Sequence, residues 1–71
     1  MNANLLKATI AKNGDTMTKL AEAMGMPASG LSQRISGQIE FRRNEIKFIK
    51  QRYNLTSGEI DEIFFVELVS A

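Results

Sequence analysis

A chain of 71 residues that contains neither cysteine nor histidine has few ways to hold itself together. A protein this short buries only about 60% of the surface that its unfolded chain exposes, so its hydrophobic core is small. Disulfide bonds and the usual zinc sites need cysteine or histidine, and they cannot reinforce that core. Packed helices with local contacts, or folding coupled to homodimer formation, are the remaining solutions.

Apolar residues recur at helical spacing along most of the chain, and glycines interrupt the pattern where helices would end. The pattern predicts one all-α domain of five helices over residues 1–71. The second helix is predicted to begin after an N-cap at Thr16, and the third helix begins with Pro27 in its first turn. The fourth helix is predicted from about Asn44 to Tyr53, and a capping box of Thr56 with Glu59 begins the fifth. The first helix is expected to end near residues 13–14, and residues 65–69 fit either a helix end or a strand.

Residues 16–37 have the lengths of a helix-turn-helix, a unit that many proteins use to read DNA. Ala21 is small where two crossing helices must nearly touch, and Gly25 can adopt the left-handed turn between them. Leu31 can pack the third helix against the second. Each feature is common by itself, but together they favour a helix-turn-helix.

The outer face of the third helix has small or amide side chains and no acidic residue. At 100° per residue, the side opposite the expected core residues holds Ala28, Ser29, Ser32, Gln33 and Ser36. Such a face can enter a major groove, where glutamine pairs with adenine and serine bonds to several bases. The alternative is an ordinary solvated face, although such faces usually alternate glutamate with lysine.

Candidate phosphate contacts flank this helix. Thr16 and the first backbone N–H groups of the second helix form a helix N-terminus, which favours anions. Further candidates beyond the groove are Arg34, Gln38, Arg42 and Arg43. Arg42 and Arg43 are the strongest pair, because they precede the fourth helix with no acidic residue directly beside them. The alternative for this pair is solvated surface.

The net charge of +1 conceals an uneven distribution. Residues 1–53 hold all nine basic residues against four acidic ones, a net +5. Residues 54–71 hold four acidic residues and no basic one, a net −4. A basic body with an acidic end fits a polyanionic partner on one surface, and ordinary charge scatter is the alternative.

Residues 16–25, Thr-Met-Thr-Lys-Leu-Ala-Glu-Ala-Met-Gly, and residues 31–38, Leu-Ser-Gln-Arg-Ile-Ser-Gly-Gln, resemble the phage repressor and Cro proteins. This is the Xre-type, lambda repressor-like helix-turn-helix family, and the likeness spans about residues 5–64. It implies a homodimer that binds a two-fold-related operator in double-stranded DNA, in a phage or prophage switch. By position it implies base contacts by Ala28, Ser29, Ser32 and Gln33, and phosphate contacts by Thr16, Met17, Ser36, Arg42 and Arg43.

Three residues depart from the family pattern. Met17 stands where the family often has glutamine, so its side chain cannot make the usual hydrogen bond to phosphate. Ala28 stands where a polar residue is common and leaves only a methyl contact, for example to thymine. Gly30 lies inside the recognition helix at a cost of about 0.5–1 kcal/mol relative to alanine, which a close approach of the second helix or of DNA would explain.

The C-terminal end holds more apolar surface than a small monomer easily hides. Its members are Phe64, Phe65, Val66, Leu68 and Val69. Full burial of each such side chain is worth about 1.5–3 kcal/mol, so we expect residues 64–70 to form a dimer interface. The dimer would hold two recognition helices about 34 Å apart, one turn of B-DNA. Alternatively, Phe64 and Phe65 close the core of a single chain.

Other classes of protein fit the sequence less well. Residues 1–14 lack the features of a signal peptide and the apolar run 63–66 is too short to span a bilayer, so a cytoplasmic protein is expected. No acid–base pair or activated nucleophile is recognisable, and no cofactor, metal ion or small-molecule ligand is expected. Glu59, Asp61 and Glu62 suit a helix start better than a divalent-ion site. The main alternative is a protein-interaction module, such as an anti-repressor or adaptor, on the same fold.

Overall fold

A computed structural model describes residues 1–65 of the chain. It confirms an all-helical fold of five helices, with no strand in the described range. The helices are α1 (Ala3–Lys12), α2 (Met17–Met24), α3 (Ala28–Ile35), α4 (Arg43–Arg52) and α5 (Ser57–Phe64). α5 ends at Phe64 with Phe65 at its C-cap. The prediction of a helix end or a strand for residues 65–69 concerns, from residue 66 on, residues that lie outside the described range.

Side-chain caps fix the beginnings of three helices. The Thr16 hydroxyl oxygen accepts a hydrogen bond from the Lys19 N–H at 3.1 Å, and Thr56 and Glu59 form a reciprocal capping box, both as predicted. Asn2 caps α1 by accepting from the Leu5 N–H at 3.0 Å. These local bonds satisfy N–H groups that the first turn of a helix would leave without partners.

Two predicted boundaries are corrected by one residue. Pro27 is the N-cap of α3 and not its first helical residue, because its ψ of 155° is extended while its carbonyl already accepts from the Gly30 and Leu31 N–H groups. α4 begins at Arg43, one residue before the predicted start, and Tyr53 is its C-cap. In α4 the Glu45 carboxylate accepts from the Arg42 N–H at 2.8 Å, which stabilises the earlier start.

All five helices contribute to one hydrophobic core. Its largest fully buried side chains are Leu6, Leu20, Leu31, Ile49 and Ile63. Tyr53 adds its ring at the end of α4, and the Asn2 N–H donates to the Ile63 carbonyl at 2.7 Å, so the start of the chain is joined to α5. Among helices 1 to 5 none has the length and apolar character that crossing a membrane requires.

The pair α2 and α3 has the most extensive contact between helices. Gly25 ends α2 in the left-handed conformation at φ 75°, as predicted, and the Met26 N–H returns to the Ala21 carbonyl at 3.0 Å. Ala21 and Leu31 are both buried, at 1% and 0% exposure. The turn and the burial predicted for residues 16–37 are therefore confirmed.

Phe64 belongs to the core of the single chain. Its ring meets Phe41 edge to face with centroids 5.1 Å apart, and its side chain is half-buried. Phe65, the next residue, is 59% exposed. The alternative prediction, in which both rings close the core, thus holds for Phe64 and not for Phe65.

Leu31→Ala is expected to lower the free energy of unfolding by about 2–5 kcal/mol, because it opens a cavity between α3 and the core. Urea denaturation followed by circular dichroism measures the change. Ser32→Ala, on the exposed side of the same helix, is the matched control and should stay within about 0.5 kcal/mol of the wild-type protein. Equal unfolding midpoints for Leu31→Ala and wild type would contradict the packing described for α3.

Candidate nucleic-acid interface

The outer face of α3 is open to solvent. Ala28, Ser29, Ser32 and Gln33 are all exposed, whereas Leu31 and Ile35 on the other side are buried. Within residues 1–65, the side chains of Ser29, Ser32 and Gln33 form no hydrogen bond to the protein. The four predicted base-contacting residues therefore share one accessible helix face, and no acidic residue lies on that helix.

The end of α3 uses some of its polar groups internally. The Ser36 hydroxyl donates to the Gln33 carbonyl at 3.1 Å, and the same carbonyl accepts from the Gln38 N–H at 2.9 Å. Gly37 follows at φ 89°, which turns the chain away from the helix axis. Ser36 is therefore bonded to its own helix end, while the side chain of Gln38 is exposed beside it.

The beginning of α2 presents donors to solvent. Because the Thr16 hydroxyl oxygen accepts from Lys19, its own hydrogen remains available to an acceptor outside the chain. The Met17 and Thr18 N–H groups have no partner in the part of the chain that the structure describes. The Met17 side chain packs against the core, so a phosphate contact at this position would involve its N–H group alone.

Arg34 does not face outward as the sequence suggested. Its Nε donates to Glu45 Oε1 at 3.1 Å and its Nη1 donates to the Gly30 carbonyl at 3.0 Å. The Arg34 and Glu45 side chains are only 16% and 12% exposed. The guanidinium therefore joins α3 to α4, and the phosphate contact predicted for Arg34 does not fit this placement. A side chain at Gly30 would meet Arg34 and Pro27 at ordinary contact distances, so no close approach of α2 explains that glycine.

Arg42 and Arg43 are exposed at the N-terminus of α4. Contrary to the sequence analysis, an acidic residue does lie beside them, because Glu45 accepts from the Arg42 N–H. That carboxylate is also paired with Arg34, and neither Arg42 nor Arg43 has an ion-pair partner among residues 1–65. Within the described range, the two guanidinium groups are therefore available to an anion outside the chain.

A cluster of hydrogen bonds around Asp15 joins the start of α2 to the end of α4. From the sequence, Asp15 was counted only as one of the acidic charges. Asp15 Oδ2 accepts from the Tyr53 hydroxyl at 2.6 Å and from Arg52 Nε at 2.8 Å. Its Oδ1 accepts from the Thr16 N–H at 2.9 Å, and its side chain is 8% exposed. The position of Asp15 directly before the cap of α2 was the one feature of the sequence that could have indicated a role for it. Its partners Arg52 and Tyr53 could not be predicted in this way, because they lie 37 and 38 residues away.

These contacts shift the pKa values of the Asp15 carboxyl and the Tyr53 hydroxyl in opposite directions. Hydrogen bonds from Arg52 and then from Tyr53 hold the pKa of the Asp15 carboxyl well below its ordinary value of 3.8. Burial, followed by the hydrogen bond to Asp15, raises the pKa of the Tyr53 hydroxyl above its usual range. Asp15 is therefore ionised and Tyr53 is neutral at physiological pH, as their hydrogen bond requires.

The acidic residues of α5 that the structure describes are Glu59, Asp61 and Glu62. The Thr56 N–H donates to Glu59, a bond that lowers the pKa of the Glu59 carboxyl. Over the 65 described residues, no three acidic side chains lie close enough together to hold a metal ion. Glu59 therefore serves the capping box, and Asp61 and Glu62 are exposed.

An apolar surface lies beyond the end of α3. The two large apolar side chains with high exposure in the described range are Ile39 at 40% and Phe65 at 59%. Both line a groove of about 640 Å³ with Phe41, Ile46 and Phe64. Ile39 was not predicted from the sequence, because an isolated apolar residue in a polar loop belongs to no periodic pattern. Val66, Leu68 and Val69 lie outside the described residues.

The candidate interface consists of the acid-free polar face of α3 and of donors in the segments before and after that helix. Thr16 and two N–H groups lie at the start of α2, and Gln38, Arg42 and Arg43 follow α3.

Comparison of the chain with models of protein families, with curated proteins and with solved structures found no match. The function is therefore inferred from these groups and what they can bind.

Asp15→Asn is expected to lower the free energy of unfolding at about pH 7 by about 1–2 kcal/mol, since the ionised acceptor of three hydrogen bonds is lost. Because folding lowers the pKa of Asp15, its contribution is present above the unfolded pKa and is lost as the pH falls through the folded pKa. The difference between wild type and Asp15→Asn should therefore shrink below about pH 4.

Urea denaturation at a series of pH values measures this difference. Asp61→Asn removes an exposed carboxylate from α5 and is the matched control, with a small difference at every pH. A gap between wild type and Asp15→Asn that stayed constant into the acid range would contradict the role of the ionised carboxylate.

Proposed function

We propose that the protein is a sequence-specific, double-stranded-DNA-binding transcriptional regulator of the phage repressor and Cro type. The observation that carries the proposal is the exposed, acid-free outer face of α3, supported from behind by Leu31 and α2. An α-helix with its side chains is about 10–12 Å in diameter, and the major groove of B-DNA is about 12 Å wide. A face of small side chains lets such a helix approach the base edges closely.

Gln33 is proposed as the main base-reading residue. Its amide has one acceptor and two donors and can bond bidentately to adenine. Ser29 and Ser32 would bond to further base edges, and the Ala28 methyl would contact a thymine methyl. All four side chains are exposed on one face, which supports their contact with the same groove.

The flanks of α3 are proposed to hold the sugar-phosphate backbone. At one side the Thr16 hydroxyl and the first N–H groups of α2 would bind a phosphate at a helix N-terminus. At the other side Arg42, Arg43 and the Gln38 amide would bind the backbone beyond the groove. Ser36 and Arg34 are left out of this set, because the Ser36 hydroxyl donates to the Gln33 carbonyl and the Arg34 side chain is 16% exposed, with its Nε and Nη1 bonded within the chain.

A homodimer on a palindromic operator is the proposed working form. Phe65 and Ile39 leave a large apolar surface in water, and burial of side chains of this kind is worth about 1.5–3 kcal/mol each. We propose that this surface, with Val66, Leu68 and Val69 of the apolar end, meets a second copy. Phe64 supports the surface from within the core. A cytoplasmic location in a bacterial host follows from this function.

The same apolar surface also supports the alternative of a protein-interaction module, such as an anti-repressor. The two functions differ in their response to salt, because a DNA-binding protein releases counterions from duplex DNA. Retardation of mixed-sequence duplex at low salt that weakens steeply with added salt is expected for the regulator. Absence of retardation at every salt concentration would favour the interaction module.

Two variants separate phosphate contacts from base contacts. Arg43→Ala should weaken binding to all duplexes alike and lower the salt slope by about one, whereas Gln33→Ala should cost about 1–3 kcal/mol at one base pair and relax the preference there. Selection from a randomised duplex pool, followed by anisotropy titrations of the selected and scrambled duplexes, measures both effects.

Matched controls are Lys7→Ala, which removes one exposed positive charge from α1, and Gln51→Ala, which removes an exposed amide from α4. Neither should change base preference. If Gln33→Ala kept the wild-type preference at every position of the site, the proposed reading face of α3 would be wrong.

Phe65→Ser should disrupt the homodimer without unfolding the chain, since the side chain is exposed in the single subunit. Sedimentation equilibrium at tens of micromolar is expected to show a dimer for wild type and mostly monomer for the variant, at equal helix content. Ala11→Ser, on the exposed side of α1, is the control. A wild-type protein that remained monomeric throughout this range would argue against the proposed interface.

A further inference from the structure

We propose that Asp15 is a positioning residue of the DNA-binding surface, which holds the start of α2 against the end of α4 so that Thr16 meets a phosphate. This inference rests on the proposed function and adds to it a residue that touches no DNA. It concerns the mutual placement of the two flanks that are proposed to hold the backbone.

Asp15 links its own loop to the end of α4 through its carboxylate, and to the end of α1 through its backbone N–H. It accepts from the Thr16 N–H on its own loop and from Arg52 and Tyr53 at the end of α4. Its own N–H donates to the Ile10 carbonyl at 3.0 Å, which closes the turn after α1. The main chain at the cap of α2 is therefore held from both sides.

The anchor at the other end of these bonds is rigid. Tyr53 is only 8% exposed and belongs to the core, so its hydroxyl is fixed by the packing of its ring. A hydrogen bond of 2.6 Å from this hydroxyl places Asp15 relative to the core itself. The main chain at Thr16 is thereby tied to the packed core through Tyr53, with Arg52 as a second, more exposed donor to Asp15.

α4 has a second such link at its beginning. Glu45 accepts hydrogen bonds from the Arg34 side chain on α3 and from the Arg42 N–H, so the start of α4 is joined to α3. The ten residues of α4 extend over about 15 Å. One end of this helix carries Arg42 and Arg43, and the other end holds Thr16 through Asp15. α4 thus sets the separation of the two proposed phosphate-binding flanks.

Asp15 is unsuited to contact DNA itself. Its carboxylate is negative, it is 8% exposed, and both oxygens already accept hydrogen bonds. A contribution to DNA affinity must therefore pass through the groups that it holds, above all Thr16. This route predicts that substitutions of Asp15 and Thr16 do not act independently.

The test is a double-mutant cycle on DNA affinity, measured by anisotropy with a mixed-sequence duplex at low salt and at a temperature where every variant is folded by circular dichroism. Asp15→Asn should weaken binding about three- to tenfold, a loss in the range of one ordinary hydrogen bond, because the effect reaches the phosphate only through Thr16. Combined with Thr16→Val it should add little further loss. Combined with Arg43→Ala, at the other flank, the two losses should multiply.

Two further variants and one hydrogen-exchange measurement test whether Asp15 acts through Thr16. Tyr53→Phe removes one donor to Asp15 while retaining the core ring, and it should weaken binding in the same direction by a smaller factor. Asp61→Asn, on α5, should bind like wild type. In the free protein, amide hydrogen exchange at Lys19, whose N–H donates to Thr16, should be faster in Asp15→Asn than in wild type.

The possible failures can be told apart. Wild-type protein that binds no duplex would overturn the proposed function and this inference with it. Wild-type protein that binds DNA while Asp15→Asn binds equally well, or while Asp15→Asn and Thr16→Val multiply as independent changes, would overturn the inference and leave the proposed function standing. A purely structural role would change stability without coupling to Thr16.

Discussion

The packing of α3 against α2 through Leu31 is the contact on which the rest of the structure depends. Because Leu31 and Ile35 bury one side of α3, the register of that helix is fixed and its other side must face solvent. Rotation by one residue would bring polar groups into the core at a cost of several kcal/mol. The same apolar contact therefore stabilises the domain and determines which side chains are available to a partner.

Much of the fold was predictable because its signals are local. A threonine cap, a capping box and a glycine at a left-handed turn each act within three or four residues, and Thr16, Glu59 and Gly25 occupy the conformations that their types favour. The exposed face of α3 was predictable for the same reason, since helical periodicity alone separates Gln33 from Leu31. Pro27 differed by one position because a proline fits both at the cap and just after it.

The errors concern residues whose partners lie far away in sequence. Arg34 was expected to contact phosphate, but Glu45, eleven residues later, takes its guanidinium. Asp15 gave no indication of its link to Tyr53, because no local rule relates positions 38 residues apart. Phe64 and Phe65 are adjacent and chemically identical, yet only the contact with Phe41 buries the first of them. Such roles depend on tertiary placement, which periodicity does not reveal.

The two long-range ion pairs also change the electrostatics of the proposed surface. Arg34–Glu45 and Arg52–Asp15 each combine one positive and one negative charge, so they leave the net +5 of residues 1–53 unchanged. Their effect is local: Glu45 lies beside the start of α4 and Asp15 beside the start of α2, the two places where a phosphate is proposed to bind. An uncovered carboxylate at either place would repel a phosphate and weaken the helix N-terminus as an anion site. Pairing each carboxylate with an arginine offsets that repulsion, so Arg34 and Arg52 would support the proposed phosphate-binding flanks without contacting a phosphate themselves.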